Sequence, residues 1–185
     1  MSNPVNVFAQ KTPNPNAYKF PCSLDLLPEA IRCEYKAEDA PYDNVFIDSF
    51  FNNWPVERVY VSGNFVTVVK EADKEWFMFV REVREHIAES LRNGAEPPPT
   101  DGKFCVQHGE NADPELTNWF NGQILKATEQ DGGGIFIVES DDGELTLKLA
   151  GACYKCPYAP MTIEQGIVMP MNERYGKLKK VKVVG

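Results

Sequence analysis

Three consecutive prolines, Pro97-Pro98-Pro99, lie between Gly94 and Gly102 and divide this chain near its middle. Proline has no backbone N–H and holds φ nearly fixed, so the run cannot continue a helix or sit in a central strand; it favours an extended spacer. Residues 1–93 therefore read as one unit, 94–112 as a linker and 113–185 as a second unit. A chain of 185 residues is long enough to give each unit a small core of its own. The expected fold class is α+β, two small α/β layers in the order β-β-α-β-β-α and then α-β-β-α-β.

In the first unit, Tyr18-Lys19-Phe20 and Ile31 to Tyr35 alternate as two short strands. Asp43 to Trp54 forms a helix that Pro55 ends. Val56 to Val61, a turn at Gly63-Asn64, and Phe65 to Val69 form a β-hairpin rich in β-branched residues. From Ala72 to Leu91, the spacing of Trp76, Val80, Val83, Ile87 and Leu91 predicts one long amphipathic helix ended by Gly94. In the second unit, Asp113-Pro114-Glu115 is a helix start, with Asp113 as cap and Pro114 in the first turn. Ile135 to Val138 and Leu145 to Leu149 flank a turn at Asp141-Asp142-Gly143. A second helix is expected from Pro160 to Val168, and Lys180 to Val184 reads as a closing strand.

Composition narrows the class of function. With 43% hydrophobic and 25% charged residues, this is a folding sequence rather than a disordered one. The formal net charge of −8 is shared equally by residues 1–93 and 94–185, which argues against a duplex-binding surface. No stretch approaches the apolar length of a membrane span, and Met1-Ser2-Asn3-Pro4 does not begin like a signal or transit peptide. Five cysteines, an odd number, do not form a secreted disulfide framework. The expectation is a cytoplasmic protein with no membrane or nucleic-acid partner.

Chemistry concentrates at Gly151-Ala152-Cys153-Tyr154-Lys155-Cys156-Pro157. Two thiols two residues apart, after a strand and before a helix, can turn both sulfurs toward one point. Helix N–H groups and Lys155 would stabilise thiolate charge there. A structural zinc or an iron–sulfur cluster generally takes four ligands, and this motif supplies two. Four readings stay open: a disulfide couple, a half-site completed by a second copy, a site finished by distant residues, and an inert pair. A thioredoxin-like redox motif belongs in a βαβ unit, whereas this pair follows an α-β-β layer.

The wider pattern resembles the Nfu family, whose C-terminal module is NifU-like. The likeness is carried by Thr12 to Phe20, by Val59 to Lys70 with Glu75-Trp76, and by Asp131-Gly132-Gly133 followed by Gly151 to Pro157, Met161-Thr162-Ile163 and Gly166-Ile167. The chain departs from the family pattern at Gly134, Lys126-Ala127, Tyr154-Lys155 and Pro170, and keeps both cysteines. The resemblance implies a non-enzymatic carrier that holds a [4Fe–4S] cluster between two protomers through Cys153 and Cys156. It would receive the cluster from an upstream donor and pass it to apo-proteins. The N-terminal unit would then carry no ligands and assist recognition. Tyr154 is expected to shield the cluster edge.

Other candidates have simpler readings. Cys22 and Cys33 fit buried small hydrophobes. Cys105 and His108, three apart, form a weak metal pair that the resemblance does not require. His86 is expected on the solvent side of its helix. Phe46, Phe50, Phe51, Trp54 and Trp76 read mainly as core, Asp141 to Glu144 as a hairpin tip, and Lys177, Lys179, Lys180 and Lys182 as a solvated basic edge.

Overall fold

A computed structural model describes residues 5–100, 102–176 and 178–184; the expectations for Met1–Pro4 and Lys177 fall outside them. The first lobe holds β1 (Gln10–Lys11), β2 (Ala17–Pro21), β3 (Arg32–Lys36), α1 (Val45–Asn53), β4 (Val56–Ser62), β5 (Phe65–Lys70) and α2 (Val80–Arg92). Its strands form one antiparallel sheet in the order β1-β2-β5-β4-β3. Asn44 caps α1 by accepting the Ile47 N–H at 3.0 Å. Phe46, Ile47 and Phe50 of α1 and Val83, Ile87 and Ala88 of α2 join Phe20, Cys33, Tyr35, Val59, Val61, Val66 and Val68 in the first core.

Two expectations need correction here. The helix anticipated from Ala72 begins only at Val80, because Phe79 adopts φ −146° and ψ −1°. Trp76 reaches the core from a short 3₁₀ turn, Trp76–Met78, and packs against Tyr18 with ring centroids 4.9 Å apart. His86 is not turned to solvent. It is half-buried among Phe46, Phe50 and Trp54, with Nε2 2.7 Å from Ser49 Oγ.

The second lobe holds a helix running through α3 (Pro114–Trp119), a π-helical stretch Phe120–Leu125 and α4 (Lys126–Gln130), followed by β6 (Gly133–Asp141) and β7 (Glu144–Gly151). A second helix follows as α5 (Ala159–Ile163), a π-helical stretch Glu164–Val168 and α6 (Met169–Tyr175), and then β8 (Lys180–Val184). β6 and β7 form an antiparallel hairpin, and β8 adds parallel to β7. Leu116, Phe120, Ile124, Ile135, Ile137, Leu147 and Ile167 make up much of the second core. The second helix runs past Pro170 rather than ending at Val168. The π-helical stretch just before it widens the hydrogen-bond ladder where the proline N–H is missing.

At the β6–β7 tip, Asp142 and Gly143 have φ of 38° and 81°, as a tight hairpin turn requires. The basic edge meets this acidic tip within the chain: Lys179 pairs with Asp142, and Lys182 lies 3.8 Å from Glu144. No helix among the described residues is long and apolar enough to cross a membrane.

The lobes meet through the second face of the five-stranded sheet. Tyr60 and Phe65 pack with Val106, Leu125, Phe136 and Ala150, while Ala17 and Val69 pack with Ala152. Arg32 Nε lies 2.6 Å from Glu129 Oε1, and that oxygen also accepts from Ser62 Oγ at 2.9 Å. Lys19 Nζ donates to the Glu129 carbonyl at 2.7 Å, capping the C-terminus of α4 with positive charge. Residues 94–112 are packed rather than free. Asn44 Nδ2 donates to the Pro97 carbonyl at 3.1 Å, Tyr35 O–H to that of Pro99 at 2.6 Å, and Val106 is buried.

His108 sits in the same seam. Its Nδ1 accepts the Ile137 N–H at 3.0 Å, and Nε2 lies 3.2 Å from Asn121 Oδ1, so the neutral imidazole carries its proton on Nε2. Burial, first of all, holds His86 and His108 below the usual 6.5; for His108 the Asn121 contact opposes this and Arg32 adds to it. A histidine whose folded pKa is depressed supports the fold above its unfolded pKa and loses that support as pH falls. Stability should therefore decline as pH drops through about 6.5 toward the lower folded values. Urea midpoints measured between about pH 7.5 and 5.5 check this, and His108→Gln, which keeps an acceptor for Ile137, should flatten the slope. An equally steep decline in that variant would remove His108 from the account.

Candidate functional site

β7 ends at Gly151, whose φ of 57° turns the chain sharply into the Cys153–Cys156 loop. The loop is built from its own backbone. Cys153 N–H bonds to the Ala150 carbonyl at 3.2 Å, Tyr154 N–H to that of Gly151 at 3.1 Å, and Cys156 N–H to that of Cys153 at 3.3 Å. Lys155 takes φ 50°, a left-handed conformation uncommon for a side chain of its size. Both cysteines are partly buried, and they border a cavity of about 310 Å³ also lined by Pro13, Asp131, Ile135 and Met161. Tyr158 and Met161 stand about half-exposed beside this opening.

Glycines make the close packing here possible. A Cβ at Gly133 would lie 2.5 Å from Cys153 N and 2.7 Å from Cys153 Sγ. One at Gly151 would meet the Gly132 carbonyl at 2.7 Å and the Tyr60 ring at 2.9 Å. Gly133→Ala should therefore push the cysteine loop off the hairpin and cost about 1–3 kcal/mol of stability, as overpacked cores do. Urea unfolding measures it, and an unchanged midpoint would mean that the loop yields without cost.

The first lobe grips this loop at several points. Asn14, fully buried, donates from Nδ2 to the Ala152 carbonyl at 3.0 Å and to that of Tyr154 at 2.8 Å. Glu34 Oε1 accepts the Gly151 N–H at 2.9 Å, and its Oε2 is 3.0 Å from Arg58 Nη1 in an almost wholly buried ion pair. The Arg58 guanidinium lies 3.4 Å from the centroid of the Tyr154 ring, a cation–π contact. Glu57 Oε1 accepts from Tyr154 O–H at 3.1 Å and lies 2.6 Å from Lys155 Nζ.

One expectation about the loop changes in consequence. Lys155 is committed to Glu57 rather than to the sulfurs. Burial pushes the Cys153 thiol up to about 12, with Cys156, Asp131 and Glu34 adding in the same direction.

Asn14, Glu34, Glu57 and Arg58 were not picked out as site residues from the sequence. Asn14 stands in Pro13-Asn14-Pro15, a stiff polar turn, and Glu34 and Arg58 interrupt apolar strands. Those are the signals that mark them. Of the weaker candidates, Cys105 faces Cys33 and His108 binds Ile137 and Asn121, so the structure does not bring Cys105 and His108 together as ligands. Burial pushes the Cys22 thiol up to about 12 as well. Among the described residues, no group of three or more His, Cys, Asp or Glu side chains is placed to hold a metal ion.

These features define a two-lobed α+β protein with a paired-thiol loop at the seam between its sheets. Residues 7–94 match the family of scaffold protein Nfu/NifU N-terminal domains, and residues 120–182 match the NifU-like domain. A NifU-like protein of Schizosaccharomyces pombe is 30% identical over 183 residues, covering 94% of this chain and 70% of the relative. A mitochondrial NFU1 iron-sulfur cluster scaffold homolog of Drosophila virilis is 25% identical over 162 residues, or 85% of this chain and 54% of the relative. This chain thus spans about half the length of that relative. The chain belongs to the Nfu/NifU family, with an Nfu-type N-terminal domain and a NifU-like C-terminal domain.

Proposed function

We propose that this chain is an iron–sulfur cluster carrier, not an enzyme. Two copies would hold one [4Fe–4S] cluster through Cys153 and Cys156 of each, and release it to apo-proteins. The observation that carries this reading is the donor count. One loop presents two sulfurs beside an open cavity, and among the described residues no further cluster of donors stands ready to complete a four-ligand site. A two-fold pair of loops supplies four thiolates by symmetry, and the half-exposed Tyr158 and Met161 offer apolar area for that contact.

The cluster is cargo. Iron displaces the thiol protons on binding, so burial of the Cys153 thiol, which favours its protonated form, is an energetic cost that loading must overcome. Attack by an acceptor's thiolates then removes the cluster by ligand exchange. The proposed division of the chain is an N-terminal domain 1–93, a linker 94–112 and a C-terminal domain 113–185. The N-terminal domain brings no ligand. It holds the loop through Asn14, Glu34 and Glu57. A reducing compartment such as the cytoplasm suits thiols that must stay free.

A thiol–disulfide oxidoreductase is the second reading, and it is disfavoured by context, since the pair follows an α-β-β layer rather than the first strand of a βαβ unit. Anaerobic reconstitution with iron and sulfide, read by metal analysis, optical spectra and native mass, tests the proposal. A brown dimer with about four irons per two chains is expected. A colourless monomer cycling only between dithiol and disulfide, or a zinc-filled dimer that refuses iron, would overturn it.

A further inference from the structure

We propose that Cys33 and Cys105 form a second thiol site, one oxidised to an intramolecular disulfide by small-molecule disulfides. This inference is independent of the cluster-carrier reading and uses neither of its cysteines. Cys33 lies in β3, and Cys105 lies in the segment joining the lobes, 72 residues further on. That segment returns to pair antiparallel with the edge of β3, with Cys33 opposite Cys105.

The backbone bonds on either side are Glu34 N–H to the Phe104 carbonyl at 3.0 Å and Val106 N–H to the Arg32 carbonyl at 2.8 Å. The two cysteines therefore occupy a non-hydrogen-bonded position of the ladder. Such positions bring Cα atoms to about 4.5 Å with both side chains on one face, inside the range of about 4.4–6.8 Å that a disulfide requires. Their sulfurs are already 3.9 Å apart. Side-chain rotation can close that gap without moving the backbone.

The two thiols differ in access, which sets the order of events. Cys33 is fully buried, whereas Cys105 is partly exposed and donates its S–H to the Thr100 carbonyl at 3.1 Å. Cys105, as its thiolate, attacks one sulfur of a disulfide RSSR, forming Cys105–S–SR and expelling RS⁻. The Cys33 thiolate then attacks Cys105 Sγ, forming the Cys33–Cys105 bond and expelling the second RS⁻. The two cysteines lose two electrons to RSSR, and the protons they shed convert both RS⁻ to RSH.

Oxidation would staple the joining segment to the sheet at a decisive place. Neighbouring Arg32 and Glu34 reach across to Glu129 and Gly151, and Val106 lies in the core between the lobes. The closed arrangement around the Cys153–Cys156 loop would thus be tied covalently at its edge.

The test is to incubate the full metal-free chain with oxidised glutathione, alkylate remaining thiols, and map tryptic peptides without reduction. The expected result is Cys33–Lys36 linked to Phe104–Lys126, with both thiols lost to alkylation and an upward shift of the thermal unfolding midpoint. In Cys105→Ser, both the linked peptide and the shift should vanish. Two results would overturn the proposal: Cys33 and Cys105 remaining alkylatable while Cys153 and Cys156 oxidise, or Cys105 stopping at the glutathione mixed disulfide.

Discussion

Glu34→Ala should destabilise this protein by about 3–5 kcal/mol, the range seen when one partner of a buried ion pair is removed. The substitution leaves the Arg58 guanidinium enclosed without its carboxylate and strips the Gly151 N–H of its acceptor. Both losses fall where β7 turns into the cysteine loop. Replacing Glu34 and Arg58 together by methionine should recover much of the loss, because no buried charge is then left uncompensated. Urea unfolding of the single and double variants measures the two costs. Alkylation should also reach Cys153 faster in Glu34→Ala, since the lobe that covers it is held less firmly. A single-variant cost below about 1 kcal/mol would show that the seam opens to water readily and that the pair does little to hold it.

Cys153→Ser and Cys156→Ser should each abolish stable cluster binding. If two copies share one cluster, each substitution removes two of its four thiolates, and a hydroxyl is a poor ligand for iron by comparison. Iron and sulfide content after reconstitution should fall to background, with far-ultraviolet circular dichroism unchanged because serine nearly matches cysteine in volume. The Cys156→Ser protein is the cleaner test, because Cys153 Sγ packs closely against Gly133. Full iron content at wild-type stability in either variant would move the ligands elsewhere and end the carrier reading.

Much of the architecture is legible in local patterns. β-Branched runs around Gly63-Asn64 and the Asp142-Gly143 turn mark both hairpins, and Asp113-Pro114 marks a helix start. Three features escaped for identifiable reasons. Trp76 continues the apolar stripe of α2, but periodicity cannot register that a 3₁₀ turn also points it inward. Pro170 signals a helix end unless a π-helical stretch precedes it, and composition does not reveal the difference between those backbones. His86 reads as solvent-facing because it lies on the polar side of its helix, whereas its neighbours in space, Phe46, Phe50 and Trp54, come from another helix and the residue just beyond it.

By itself the sequence determined most of the strands and helices and the placement of two thiols at a strand end, since each depends on residues within a few positions of one another. What covers those thiols was decided only by tertiary structure. The apolar runs Val59-Tyr60-Val61 in β4 and Val68-Val69 in β5 fit a sheet buried on both faces but do not say against what. Asn14 meets Tyr154 across 140 residues, and Glu34 meets Gly151 across 117. Contacts of that range follow from how two separately formed layers pack, which no local pattern encodes.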